Sequence, residues 1–175
     1  MRKLIVIAIF LLPILLCGCI SDLANQGREK LKVGDKMPVF SMMYNGELVT
    51  NESLSGRVTL MLFFRISCPD CVKELPAIQG IYDEYSSNSD VKIMLISVRD
   101  EVDALSIFWR NNQYTMTYEC SSDESFLDLF GIAYVPQIYI FNRDNTVGFA
   151  YDDGVMKTQS ELSANIMSLL SLKRE

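Results

Sequence analysis

There is no histidine among the 175 residues of this chain. That excludes catalysis by a Ser-His or Cys-His pair and any metal site that needs imidazole. Cysteine is scarce: Cys17, Cys19, Cys68, Cys71 and Cys120 are the full set. A four-sulfur zinc site wants two Cys-x-x-Cys knuckles, and only Cys68 and Cys71 have that spacing. A miniature fold stapled by disulfides is excluded on the same grounds. Cationic residues are outnumbered, 16 against 22 acidic, for a formal charge of -6. An acidic chain is a poor candidate for nucleic acid or for polybasic docking on a membrane. A full membrane span is also missing. The apolar run Leu4 to Leu16, as a helix, covers roughly 20 Å at 1.5 Å per residue, against roughly 30 Å of bilayer hydrocarbon.

That run reads better as an export signal. Met1, Arg2 and Lys3 supply the positive start, the apolar stretch follows, and small residues come after it. Its end, Leu16-Cys17-Gly18-Cys19, resembles a bacterial lipobox, in which the last cysteine becomes the lipidated first residue of the mature chain. Cys19 takes that place, with Gly18 as the small residue before the cut. The alternative is an ordinary cleaved signal with two incidental cysteines. It is disfavoured because cysteine is uncommon and Cys19 stands where the pattern needs it. The expected organisation is a signal over residues 1–18, a lipidated cysteine and flexible tether over 19–36, and one domain over 37–175.

Within the domain, Val39 to Met43 and Glu47 to Thr50 predict a hairpin that turns at Asn45-Gly46. "NESLSGR" reads as a polar connection. Val58 to Phe64 is a continuous apolar run, as expected of a central strand buried on both faces. From Pro69 onward, Val72, Leu75, Ile78, Ile81, Tyr82 and Tyr85 recur at helical steps, with Pro76 inside the helix. Val91 to Val98 predicts a second buried strand. A helix around Leu105 and Trp109 follows, then a short extended piece at "YTMTYEC". Ser121 with Glu124 suggests a capping box for a helix that Gly131 ends. "QIYIFN" and "TVGFAY" predict antiparallel neighbours, and a last helix spans about Gln159 to Leu172. The alternation predicts an α/β fold: a central mixed sheet, helices on both faces and an N-terminal β-hairpin.

Cys68 and Cys71 thereby gain an address, at the end of a buried strand and in the first turn of the next helix. A helix N-terminus carries about half a positive charge and unpaired N–H groups, which favour a thiolate at Cys68. Cys68 is the expected attacker, and Cys71, deeper in the helix, the resolving thiol. Half a zinc site and two unrelated thiols are the competing readings. The strand-to-helix address speaks for redox chemistry.

Here the chain resembles the thioredoxin superfamily, and within it the membrane-anchored, TlpA-like thiol–disulfide oxidoreductases of bacterial envelopes, over about residues 34 to 172. The resemblance rests on Cys68-Pro69-Asp70-Cys71 followed by Glu74-Leu75-Pro76, and on "GIAYVPQIYIF", where Val135-Pro136 opens a strand. It implies a thioredoxin-like fold with a cis-proline at Pro136 beside the cysteines. It also implies that Val135 offers its backbone to an extended substrate, with Pro69 and Asp70 alongside. Glu74 lies three residues after Cys71 on the same helical face. The resemblance favours it as the group that takes the Cys71 proton, over a solvated helix glutamate. Ser67 stands where the family often has an aromatic, usually tryptophan, and Phe64 holds the place of a second aromatic at the strand end. Asp70 adds a charge expected to oppose the thiolate and make the couple more reducing.

The expected activity is reduction of disulfides in exported proteins, with no cofactor and no metal. The implied partners are those proteins and a membrane thiol donor. The implied location is the bacterial cell envelope, lipid-anchored through Cys19. Peroxide reduction is disfavoured, because Met61 and Arg65 occupy the places where peroxiredoxins carry Pro and Thr. A rival from another class is a non-catalytic lipoprotein that binds a partner or a metal on the same fold. Cys120 reads as a small buried hydrophobe.

Overall fold

The structure is a computed structural model that describes residues 30–152 and 156–172. The signal and Cys19 lie outside the described residues. Among those residues no helix is long and apolar enough to cross a membrane.

The chain begins with a hairpin, β1 (Ser41–Tyr44) and β2 (Glu47–Thr50), paired antiparallel with Tyr44 opposite Glu47. Both turn residues sit at positive φ, Asn45 at 52° and Gly46 at 79°. That is the backbone a two-residue hairpin turn requires and the reason Asn-Gly serves there. The first strand starts two residues later than the apolar pattern suggested, because Val39 points to solvent. The supposed polar connection contains a short helix, α1 (Asn51–Leu54). Thr50 accepts from the Ser53 amide while Ser53 accepts from Thr50, a reciprocal cap. Leu54 is its buried residue.

Five further strands form the main sheet. β3 (Val58–Phe64) lies at its centre, pairs parallel with β4 (Val91–Val98) and antiparallel with β6 (Gln137–Phe141). The short β5 (Glu119–Ser121) is the edge beyond β4, and β7 (Val147–Asp152) pairs antiparallel with β6 at the other end. Every residue of β3 is buried. Its alternate side chains serve two cores. Leu60, Leu62 and Phe64 pack on one face against α2 (Pro69–Tyr85), α3 (Val102–Asn111) and α5 (Gln159–Leu170). Met61 and Phe63 pack on the other against the hairpin and α4 (Glu124–Leu129). Each side chain so buried contributes about 1.5–3 kcal/mol. This double coverage is why β3 reads as an unbroken apolar run.

The cap of α4 differs from the expected one. Asp123, not Ser121, is the N-cap and accepts from the Ser125 and Phe126 amides. Ser121 is already paired in β5, and Glu124 turns away to bind Arg99 through two 2.7 Å hydrogen bonds. Gly131, at φ 65°, follows the helix as expected.

Residues 30–36, assigned to the tether by their composition, lie along β7. Gly34 donates to the Val147 carbonyl at 2.8 Å, Val147 donates to Asp35 at 2.8 Å, and Lys30 pairs with Asp152 at 3.0 Å. The segment covers part of an edge that would otherwise expose backbone hydrogen-bonding groups.

Candidate active site

The C-terminal end of β3 and the start of α2 meet at the centre of the sheet, between the parallel neighbour β4 and the antiparallel neighbour β6. Cys68 is the N-cap of α2, with extended backbone (φ -95°, ψ 113°). Its sulfur does what a capping serine oxygen does: it accepts the Cys71 amide, at 3.2 Å. Pro69 follows in the first turn, where its missing N–H costs nothing.

The other neighbour of the Cys68 sulfur is the loop before β6. The Cys68 thiol donates to the Val135 carbonyl at 3.6 Å. Val135-Pro136 is a cis peptide and Pro136 is buried. The two stretches singled out in the sequence, 67 residues apart, therefore meet at one sulfur.

Cys71 is 1% exposed. Burial pushes its thiol far above the ordinary cysteine range. The hydrogen bond with Cys68 and the negative charges of Cys68 and Glu74 add to this, against a smaller opposing effect of the Arg65 backbone. Both cysteines are free thiols. The pair is thus asymmetric, one sulfur half-exposed at a helix terminus and the other buried and held neutral.

Glu74 sits beneath, 3% exposed. Burial raises its affinity for a proton. The Lys157 amide, donating to the carboxylate at 3.0 Å, and the Lys157 ammonium pull the other way. A buried carboxylate that favours its proton suits proton exchange with a thiol. Its hydrogen bond goes to Lys157, and its influence on Cys71 is through space. Lys157 is a neighbour the sequence reading did not foresee, since it precedes α5, 83 residues away.

Asp70 does not act alone. Lys73, one turn on, binds its carboxylate at 2.8 Å, and both side chains are more than half exposed. The expected push of Asp70 against a Cys68 thiolate is offset by this neighbouring cation, and solvent weakens both.

A second unforeseen residue is Asp100, just after β4. Its side chain is 6% exposed. One carboxylate oxygen accepts from the Ile66 amide at 2.8 Å and from Ser97 Oγ at 2.6 Å. It thereby ties the loop before Cys68 to the end of β4. The available signal was an acid directly after a buried strand parallel to the cysteine-bearing one.

A groove of about 340 Å³ opens beside Cys68, lined by Arg65, Ser67, Val98, Arg99, Ile132, Ala133, Tyr134 and Val135. Val135 lines it, whereas Pro69, Asp70 and Pro136 do not. Cys120 stands apart, on edge strand β5, half-buried rather than in the core. Burial raises its pKa, with Glu119, Asp100 and Glu101 adding to the effect. Among the described residues no group of three His, Cys, Asp or Glu side chains gathers to hold a metal.

A dithiol at a helix N-terminus, beside a cis-proline loop at one end of a five-stranded mixed sheet, defines a thioredoxin-like protein. The profile described as Redoxin matches residues 32–165. The chain belongs to the Redoxin family, as a TlpA-like member of the thioredoxin superfamily of oxidoreductases. It is similar to the thiol-disulfide oxidoreductase ResA of Bacillus thuringiensis (strain Al Hakam), 23% identical over 141 residues, which covers 77% of this chain and 80% of that one. Among solved structures, the thiol:disulfide interchange protein of Chlorobium tepidum TLS has the same fold, with a TM-score of 0.68 at 16% identity over 80% of this chain and 99% of that one. So does a secreted Mycobacterium tuberculosis disulfide oxidoreductase homologous to Escherichia coli DsbE, with a TM-score of 0.63 at 21% identity over 74% and 96% of the two chains.

Proposed function

We propose that this protein is an extracytoplasmic protein-disulfide reductase, anchored by a lipid on Cys19, that reduces disulfides of exported proteins. The observation that carries the reading is the environment of the Cys68 sulfur. It accepts the Cys71 amide at a helix N-terminus and lies against Val135 at the mouth of an open groove. The thiol–disulfide oxidoreductase named among its relatives and the secreted oxidoreductase among its structural neighbours support the activity and the location.

The cycle begins with the dithiol. Cys68, as thiolate, attacks one sulfur of a substrate disulfide and expels the other as a thiolate, which takes up a proton. Cys71 then loses its proton, with Glu74 as the acceptor, and attacks the Cys68 sulfur. The Cys68–Cys71 disulfide forms, and the second substrate thiol leaves. Two electrons have passed from protein to substrate. A membrane thiol donor restores the dithiol.

The test is the equilibrium potential of the Cys68–Cys71 couple, measured on the full chain in detergent against dithiothreitol or glutathione with thiol labelling. A single reversible two-electron transition well below the glutathione couple supports the reductase. A potential near about -120 mV, that of strong oxidants, makes the protein an oxidant instead. No reversible transition leaves the non-catalytic lipoprotein that binds a partner or a metal.

A further inference from the structure

Two arginines line the groove beside Cys68, and they differ in how far they are committed. Arg99 is fully engaged: its guanidinium binds Glu124 through two hydrogen bonds of 2.7 Å. Arg65 is not. Its one ion partner among the described residues is Asp100, at 3.9 Å from Nε, beyond hydrogen-bond length. The Asp100 oxygen that does form hydrogen bonds is given to Ile66 and Ser97. Arg65 Nε is buried without a hydrogen-bond partner among the described residues, while the side chain as a whole stays 40% exposed.

A guanidinium carries five donors in a planar fork suited to a carboxylate. Arg65 is three residues before Cys68 and shares its groove, where Tyr134, 69% exposed, offers an aromatic platform. A peptide presenting a disulfide to Cys68 passes within reach of that unfilled fork.

We infer that Arg65 is a specificity-determining residue that takes a substrate carboxylate, so that the preferred disulfides are flanked by Asp or Glu. This rests on the disulfide-reductase reading above and names the substrate class of the same site. The charge complementarity is local. The chain as a whole is acidic, at -6, and Arg65, the groove arginine not taken up by a hydrogen-bonded carboxylate, selects against basic segments as well as for acidic ones.

The experiment uses three disulfide-bonded peptides that differ only in the residue beside the attacked cysteine: Glu, Gln or Lys. Their kcat/KM values are compared on the full chain in detergent, at low salt. The expected result is a Glu-over-Lys preference of about fivefold, the upper range for one partly exposed ion pair. Raising the salt to about 0.5 M brings the ratio toward one. In Arg65→Gln the ratio at low salt falls to within about twofold of unity. A wild-type ratio near one at low salt overturns the inference. So does a preference that survives in Arg65→Gln or ignores salt. The salt series on wild-type protein decides the matter even if the variant does not fold. Failure to reduce any of the three peptides instead removes the reductase reading on which the inference stands.

Discussion

The Cys71 amide donates to the Cys68 sulfur at 3.2 Å, while the Cys71 sulfur itself is buried and held protonated. One residue therefore supplies a donor to the attacking sulfur with its backbone and keeps its own thiol out of play.

The consequence is a difference in reactivity. In the Cys71→Ser variant, iodoacetamide should alkylate Cys68 at least about tenfold faster than it alkylates Cys71 in the Cys68→Ser variant. Peptide-resolved mass spectrometry across pH 6 to 9 reads both rates. Cys71 should stay slow and climb about tenfold per pH unit without levelling off over that range, because burial lifts its ionisation above it. Comparable rates would mean that Cys71 is open to solvent and that the roles of the two sulfurs are not separated.

The Asp70–Lys73 pair, 2.8 Å apart and exposed, predicts small and opposite shifts in redox potential. Asp70→Asn removes a negative charge near Cys68, favours the reduced form and raises the potential. Lys73→Gln leaves Asp70 unopposed and lowers it. Each shift should be on the order of 10 mV, the equivalent of an exposed charge interaction. Shifts of the same sign would show that the two charges do not act as a pair.

The features that were legible in the sequence are those set by local pattern. A seven-residue apolar run broken only by Thr59 and bounded by polar residues suits a strand covered on both sides, and β3 is that strand. The three- and four-residue spacing after Pro69 fixed α2, and Asn45-Gly46 fixed the hairpin turn. The residues that escaped notice act across the fold. Asp100 binds Ile66 34 positions away, and the Lys157 amide reaches Glu74 across 83. Asp100 is marked only by its place after a buried strand, and nothing near Lys157 in sequence marks it. The cap of α4 was misplaced by two residues for a related reason: Ser121 had been claimed by β5, a pairing with β4 that only the folded sheet makes. Residues 30–36 look like tether because their contacts with β7 are two backbone hydrogen bonds and one exposed ion pair, Lys30 with Asp152, which leave no apolar side-chain pattern.

Asp100 holds the loop before Cys68 through the Ile66 amide and Ser97. Asp100→Ala leaves two donors, the half-buried Ile66 amide and the buried Ser97 hydroxyl, without their acceptor. The expected cost is about 2–3 kcal/mol of unfolding free energy, since each stranded polar group costs about 1–3 kcal/mol. Urea unfolding measures it. Loosening the loop should also change the alkylation rate of Cys68, though Asp100 touches neither sulfur in the described hydrogen-bond network. A loss below about 0.5 kcal/mol would show that solvent reaches the site and replaces the carboxylate.

Glu74 makes the two-sided prediction. Its proton affinity is raised by burial, with Lys157 opposing. The folded state therefore holds the Glu74 proton more tightly than the unfolded chain does. The stability this lends is full below the ordinary carboxylate range and is lost as pH rises through the raised folded pKa. Glu74→Gln removes that loss and keeps an oxygen to accept the Lys157 amide. The melting temperature of the variant relative to wild type should thus climb between pH 4 and pH 8, by about 2–4 °C, the shift that about 1 kcal/mol produces in a domain of this size. Activity should move the other way. Without a carboxylate to take the Cys71 proton, decay of the mixed disulfide should slow about 100-fold, the low end for a lost general base. The reaction's pH dependence should steepen, because hydroxide must then do the work. Quenched single-turnover reactions, trapped with acid and resolved by mass, give the rate of that step alone. A variant that is more stable at pH 8 and resolves at the wild-type rate would separate the two effects. It would leave Glu74 as a buried charge the fold tolerates, with no part in the proton transfer.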